Sequence, residues 1–444
     1  MQRESKKLHL ISLGCVKNLV DSEVMLGQLK DYEVIDDIHS ADVIIVNTCG
    51  FIEAAKSESL RAIFDAMRDR KEGAILVVSG CLSERYRQEL QKEMSEIDII
   101  TGVGDYDHIL EMIEQRKGEF TPQTFLNDDS HERVITASVV HAYVKISEGC
   151  NQQCSFCAIP QFKGKLQSRG IQSIVKEVQN LIAKGYCDFS FVAQDSSSYL
   201  LDKGIKDGLI QLIKALEQVA GIRSVRFLYL YPSTTSLELI DCIAQSPIVQ
   251  NYFDMPIQHI SDSVLRRMRR GVNAKKHLEI LTKMRDIPDS FIRTSLIVGY
   301  PEESELEFNE LKAFLNNFSF DRVNLFGYSD EEGTWAYQNK AESKISQKII
   351  HQRLKQLDSI VIQQQKQSLQ KMKNSIIPVI LEGESEYDFL YKARDMRWAP
   401  EVDGEILINE VEYEGDLNLG YYLARITEVS DEGFLIATLV QKYD

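Results

Sequence analysis

The sequence predicts an α/β fold in three successive units: a doubly wound parallel sheet, a partial (βα)6 barrel and a small β-barrel. Three observations carry this. Short β-branched runs alternate with amphipathic helical runs over residues 1–125. After a stretch without period, the alternation resumes for six further strand–helix pairs. The last segment turns to short strands alone. A chain of 444 residues has room for such a series, since domains run to roughly 100–200 residues.

The elements follow in order. "KLHLISLG", "ADVIIVNT" and "AILVVSG" read as strands, and the helical "LVDSEVMLGQLKD", "AAKSESLRAIFDAMRDRK" and "SERYRQELQKEM" follow them. Such alternation covers a parallel sheet on both faces. "TPQTFLNDDSHERVITAS" has no period and reads as a linker. The second series of strands is "HAYVKISE", "DFSFVAQD", "VRFLYLY", "NYFDMPIQ", "SFIRTSLIVGYP" and "RVNLFGYS". Six such units suit a partial barrel, whose chemistry belongs at the carboxyl ends of its strands. Ile345–Lys373 keeps a helical period and reads as one long connecting helix. "IIPVILEGES", "FLYKARD", "EILINE", "YYLARITEVS" and "FLIATLVQK" then suit a small barrel. The expected units are residues 1–125, 137–368 and 371–444.

Composition narrows the classes of function. A net charge of −16 argues against a non-specific polyanion binder, whose affinity comes from neutralising phosphates. No apolar run approaches the ~18 residues of a membrane span. "MQRESKKLHLISLGC" lacks the apolar stretch of a signal peptide, so a cytoplasmic protein is expected. Eight cysteines are too few for a disulfide scaffold, and clustered cysteines in such a chain point to metal or catalysis.

"EGCNQQCSFCAIP", Glu148–Pro160, spaces Cys150, Cys154 and Cys157 as C-x3-C-x2-C, directly after the strand-like "AYVKISEG". A tight loop can wrap three thiolates around one corner of a [4Fe–4S] cluster and leave one iron open to a small molecule. Catalytic zinc sites keep an open position in the same way. A zinc site and three incidental cysteines are the alternatives. Zinc usually takes a second ligand pair further on, and none follows here.

Cys15, Cys49 and Cys81 form a second trio. Each ends an apolar strand-like run: "LISLGC", "VIIVNTC" and "LVVSGC". Parallel strands that end together bring their last residues to one edge, where ligands bind. These three could therefore hold a second cluster, or be buried inert thiols. Cys187 and Cys242 share no such position and read as core residues.

With Phe156 before its last cysteine, the C-x3-C-x2-C loop resembles that of the radical S-adenosylmethionine (SAM) superfamily. Its pairing with an N-terminal cysteine trio resembles the methylthiotransferases within it. "SLGCVKNLVDSE", "VNTCGFIEAAKSES", "SGCLSERY", "VAQDSSSY", "YLYPS", "MPIQHISDSVLRRMRRG" and "RTSLIVGYPEE" look like family motifs in family order. Several of them look like the branch that modifies an aspartate of the twelfth small-subunit ribosomal protein, rather than the branch that modifies tRNA adenosine. A non-catalytic iron–sulfur ribosome assembly factor is a further alternative.

The resemblance implies an N-terminal domain with an auxiliary cluster, a radical SAM core and a C-terminal barrel of TRAM type. It implies two [4Fe–4S] clusters. SAM cleaved at Cys150, Cys154 and Cys157 yields a 5′-deoxyadenosyl radical, which takes hydrogen from the aspartate β-carbon. A second SAM methylates sulfur at the cluster of Cys15, Cys49 and Cys81, and the product is 3-methylthioaspartate. A reduced electron donor such as flavodoxin or ferredoxin is expected. Gln194, Asp195, Ser233, Gln258, Arg293 and Gly299 lie in or just after barrel strands and are candidates to hold SAM, Arg293 by pairing with a carboxylate and Gly299 by letting backbone approach the adenine. His259 is either a further candidate or a satisfied structural histidine.

The chain departs from the family at Val16, where proline is common, and at Lys163-Gly164, where Arg-Gly is usual. It departs again at Glu302-Glu303, where Gly-Glu-Thr is typical. From Ile376 to Asp444 there are sixteen Asp/Glu against five Lys/Arg, a net charge of −11. A barrel that grips tRNA should be basic. This one suits a basic protein substrate.

Overall fold

The computed structural model describes residues 5–443 apart from Ala137, Asp388 and Asp431. The expected unit boundaries at residues 1, 137 and 444 lie outside the described residues.

The N-terminal sheet is wholly parallel. Its strands are β1 (Lys7–Ser12), β2 (Glu33–Val34), β3 (Val43–Thr48), β4 (Ile75–Gly80) and β5 (Ile99–Ile100), in the order β2-β1-β3-β4-β5. Helices α1 (Val16–Gln28), α2 (Glu53–Asp69) and α3 (Cys81–Arg85) follow β1, β3 and β4. Alternate residues of β3 enter opposite layers. Val43 and Ile45 pack with Val24 and Met25 of α1, whereas Ile44 and Val46 pack with Ile63 and Ala66 of α2. The sheet is doubly wound because its strands are apolar on both faces.

The second unit is an open barrel of six parallel strands. They are β6 (His141–Lys145), β9 (Asp188–Val192), β10 (Ser224–Phe227), β11 (Tyr252–Asp254), β12 (Phe291–Val298) and β13 (Arg322–Gly327). Two short strands between β6 and β9, β7 (Ser147–Glu148) and β8 (Gln167–Ser168), form a separate antiparallel ladder. The barrel is two three-stranded sheets, β10-β9-β6 and β11-β12-β13, joined by a single bridge from Val225 to Val249. Side chains such as Ala142, Phe189, Val225, Ile292 and Leu296 pack outward against the helices.

Helix Gln347–Met372 links the barrel to five strands: β14 (Ile376–Glu384), β15 (Tyr391–Asp395), β16 (Ile406–Val411), β17 (Gly420–Val429) and β18 (Leu435–Lys442). They close as β14-β15-β16-β18-β17. This small barrel is anchored on the strands of the larger one. Arg394 ion-pairs with Asp188 of β9, which also holds Arg226 of β10 at 2.8 Å. Tyr143 of β6 donates to the Pro400 carbonyl at 2.8 Å. Such buried charges are stable only when paired.

The stretch read as a linker is pinned. Its described residues form no helix or strand, yet Arg133 is buried between Glu23 of α1, at 2.6 Å, and Glu177 of the larger barrel. No described helix is long and apolar enough to cross a membrane.

Candidate active site

Cys15 caps α1, Cys49 follows β3 and Cys81 opens α3. All three stand at the carboxyl ends of neighbouring strands, beside the point where the strand order reverses. Open α/β sheets bind their ligands there. Glycine lets the three turns touch. A Cβ on Gly14, whose φ is +89°, would lie 2.6 Å from Cys49 Cβ and 2.7 Å from its Sγ. One on Gly50 would lie 2.9 Å from the Leu82 nitrogen, next to Cys81. Ser59 Oγ accepts the Cys49 N–H and donates to the Cys49 carbonyl, each at 2.9 Å.

Burial pushes the Cys49 thiol up to about 11 and the Cys81 thiol up to about 12. Burial acts on Cys15 too, but the charge of Lys17 and N–H groups of Asn18 and Lys17 outweigh it and lower its pKa. Cys15 is the exposed member of the trio.

The β7–β8 ladder closes the loop that carries the other trio. Hydrogen bonds close that loop on itself and fix it to the barrel. Gln152 Nε2 donates to Asp195 at 2.9 Å, the Cys150 N–H to the Gly164 carbonyl at 3.1 Å, and the Ser155 N–H to the Met268 carbonyl at 3.1 Å. Cys154 Sγ lies 3.2 Å from Arg270 Nη1 and 3.3 Å from the Tyr231 hydroxyl. The Arg270 guanidinium stacks 4.2 Å over the Tyr231 ring. Burial pushes Cys150 and Cys157 up to about 12. Reading the sequence missed Arg270 and Tyr231 as partners of Cys154, although both sit in quoted motifs, "MRRG" and "YLYPS".

Neither trio converges as the ligands of one ion do. Among the described residues no group of three or more His, Cys, Asp or Glu is that tight. A cubic cluster asks for something looser, because each thiolate binds a different iron. Two sets of three cysteines, free of competing histidine or carboxylate ligands, fit that demand. The raised thiols of Cys49, Cys81, Cys150 and Cys157 would lose their protons on binding metal.

The elements that carry the two trios pack together. Helix α3, opened by Cys81, packs against helix Ile159–Phe162, which follows Cys157. Buried Lys163 lies next, 3.6 Å from Asp21 of α1 and 3.7 Å from Glu148 of the loop. Lys145 joins them, ion-paired to Asp21 and 2.6 Å from Glu148. Burial would raise the Glu148 pKa, but Lys145 and Lys163 bring it down to about 2. Lys163, the departure from Arg, therefore keeps the charge and the pairing.

The SAM candidates differ in what holds them. Gln194 donates to Glu148 through Nε2, while its buried Oε1 has no partner among the described residues. Asp195 is consumed locally by Ser197, Ser198 and Gln152, so it positions the loop. Ser233 is exposed beside Gly271. Gln258 is half-buried with φ +70°, its backbone bridging to β12. Arg293, expected to take a carboxylate, already faces Asp254 at 3.4 Å and Asp403 of the small barrel at 3.8 Å. Gly299 was expected to let adenine approach, but the space a side chain would fill is taken by Ile350 of the linking helix, at 2.3 Å. His259 is bonded on one side only, and its buried Nε2 has no partner among the described residues. Its Nδ1 accepts the Ser261 N–H at 3.0 Å, and burial brings its pKa down to about 3. Cys242 is buried in the core, and Cys187 is half-buried against Val140 and Tyr421.

Two surface hollows, of about 480 and 530 Å³, lie away from both trios, beside Arg322 and Glu405 and along Gln352–Ser359. Donor chemistry marks the site better than hollow size.

Comparison with known proteins shows the family. Residues 7–102 match the model of the uncharacterised protein family UPF0004, and residues 144–315 match that of the radical SAM superfamily. The ribosomal protein uS12 methylthiotransferase RimO of Wolinella succinogenes is 62% identical over 441 residues, covering 99% of this chain and 100% of that one. The protein of the same name from Helicobacter pylori is 56% identical over 437 residues, covering 98% and 99%. The fold resembles that of the radical SAM methyltransferase TsrM from Kitasatospora setae, solved with cobalamin and a [4Fe–4S] cluster, at a TM-score of 0.55 and 14% identity over 76% of this chain and 75% of that one. With such identity to full-length relatives, the chain belongs to the RimO family of radical SAM methylthiotransferases.

Proposed function

We propose that this chain methylthiolates the β-carbon of an aspartate in ribosomal protein uS12, giving 3-methylthioaspartate. The observation that supports the reading is the packing together of the elements that carry the two cysteine trios. The relatives' shared name supplies the substrate. Cys150, Cys154 and Cys157 would hold one [4Fe–4S] cluster, and Cys15, Cys49 and Cys81 the other. When bound, these clusters and SAM supply a hydrogen-abstracting radical and a methylthio group, chemistry that lies beyond ordinary side-chain bases.

The chain's own residues orient and shield. Asp195 and Gln152 hold the cysteine loop against the barrel. The unpartnered Gln194 Oε1 can accept from the amine of SAM, and Ser233 and Gln258 are open to its remaining polar groups. Arg293 and Gly299 are weaker candidates, since the small barrel and Ile350 already occupy them. Buried Lys163 and Glu148 lie among the elements that carry the two trios, with charges that cancel.

The small barrel suits a basic protein. Of its five cations, Arg394 is buried on Asp188 and Arg397 pairs with Asp395 at 2.5 Å. Glu384, Glu386, Glu410, Glu414 and Asp416 are exposed. Such a face attracts a basic partner and repels RNA. The remaining parts of the proposal are a flavodoxin or ferredoxin as electron donor, a cytoplasmic location, uS12 free or within its subunit, and units at residues 1–125, 137–368 and 371–444.

The test is a competition read by mass spectrometry. The reduced, reconstituted protein meets SAM, a sulfide source, uS12 and isopentenylated tRNA together. Methylthio mass on a uS12 aspartate is expected. Methylthio-adenosine in the tRNA instead would assign the other branch. SAM cleavage with neither product would leave the radical site standing and the substrate assignment wrong.

A further inference from the structure

The segment Tyr229–Tyr231 touches both cysteine sites. The Tyr231 hydroxyl lies 3.3 Å from Cys154 Sγ. Tyr229 carries Lys17 Nζ 3.9 Å from the centre of its ring, and Lys17 stands two residues after Cys15. Tyr229 is held in an unusual backbone state, with φ +63°. A bulky residue adopts that region only when its surroundings force it. Here Asp254 Oδ2 accepts its N–H at 3.1 Å, and its carbonyl accepts the Ser196 N–H at 2.9 Å. The strand expected through "VRFLYLY" accordingly stops at Phe227.

The charges around this bridge are uneven. Lys145 and Lys163 are matched by Asp21 and Glu148. Lys17 has no carboxylate within ion-pair distance among the described residues; it lies over the Tyr229 ring, and the charge it feels most is that of Cys15, a thiol that a cluster would take up. An ammonium on an aromatic face keeps its outward N–H groups for an anion. The substrate brings one. A β-carbon placed between the two sites carries its carboxylate, one bond away, into the same space, and a carboxylate leaving water needs a cation.

We infer that Lys17, set by Tyr229, receives the side-chain carboxylate of the substrate aspartate and so makes the enzyme choose aspartate over asparagine. This rests on the uS12 reading above. The test compares binding of uS12 with that of uS12 whose target aspartate, located by the mass spectrometry above, is changed to asparagine. The cluster-loaded protein is titrated by calorimetry. A charge-assisted hydrogen bond predicts a preference of about tenfold or more for aspartate. In Lys17→Met the preference should vanish, with both forms binding at the level of the asparagine form. Lys17→Arg should restore most of it. Iron and sulfide content should be the same in all three proteins. An undiminished preference in Lys17→Met overturns the inference. So does loss of iron in that variant, which would assign Lys17 to the cluster instead. Failure of the unaltered protein to bind either form overturns the substrate assignment beneath it.

Discussion

The two cysteine sites have the same composition and opposite construction. Cys150, Cys154 and Cys157 belong to one loop, closed by a two-residue ladder and pinned by Asp195. Cys15, Cys49 and Cys81 are far apart in the chain and meet only because β1, β3 and β4 end together. A loop site is encoded by spacing. A sheet-edge site is encoded by topology, so it depends on every turn that sets strand register. The first should tolerate damage to the sheet, and the second should report it.

Replacing Cys150, Cys154 and Cys157 with alanine should have the largest effect. SAM cleavage should be abolished and iron content should fall by half, with the sheet-edge cluster kept; persistence of 5′-deoxyadenosine would break the assignment. Gly14→Ala should come next. The new Cβ collides with Cys49 in a left-handed backbone state, costing about 1–3 kcal/mol. Iron should be lost from the sheet-edge site alone. Gly164→Ala in the loop has a φ of +69° but meets only Thr124 Oγ1, at 3.7 Å. Its cost should stay near ~1–2 kcal/mol, with both clusters retained. Equal iron loss in the two variants would erase the contrast.

Acid should strike the loop side through His277, which faces Arg270, the partner of Cys154. Burial first, and Arg270 second, lower the His277 pKa from 6.5 to about 3. A lowered histidine contributes stability that is fully present above its ordinary pKa and is lost as pH falls toward the folded value. At pH 5 the loss is about 2 kcal/mol. His277→Leu should flatten the acid limb of thermal unfolding of the cluster-free protein by that amount; an unchanged limb would show His277 to be silent. The smallest effect is expected at Glu302. Its φ of +65° explains why glycine is typical there, and its bond to Lys340 at 2.8 Å partly offsets the strain. Glu302→Gly should change stability by less than about 1 kcal/mol, read by denaturant midpoint.

The loop site was legible because its ligands and spacing are contiguous. The sheet-edge site was legible because "LGC", "NTC" and "SGC" each end an apolar run, and the sheet order does bring those ends together. Periodicity also marked the linking helix and the strands of the small barrel. Contacts between distant residues leave no period. Arg394 on Asp188, Arg270 on Cys154 and Lys17 on Tyr229 could not be paired from the chain alone. A strand arginine next to apolar residues looks free in the sequence, but the carboxylates facing Arg293 come from β11 and from the small barrel. A glycine gives the same signal for a ligand as for a passing helix, here the one that carries Ile350 beside Gly299.

The central claim is that the loop site cleaves SAM and the sheet-edge site supplies the sulfur. The most direct measurement follows both products in a Cys15→Ala, Cys49→Ala, Cys81→Ala variant reconstituted with iron and sulfide. Reduced and given SAM and uS12, it should still release 5′-deoxyadenosine and methionine, while the mass of the uS12 aspartate stays unchanged. Methylthioaspartate formed by that variant, or loss of SAM cleavage with the loop cluster intact, would contradict the division of labour.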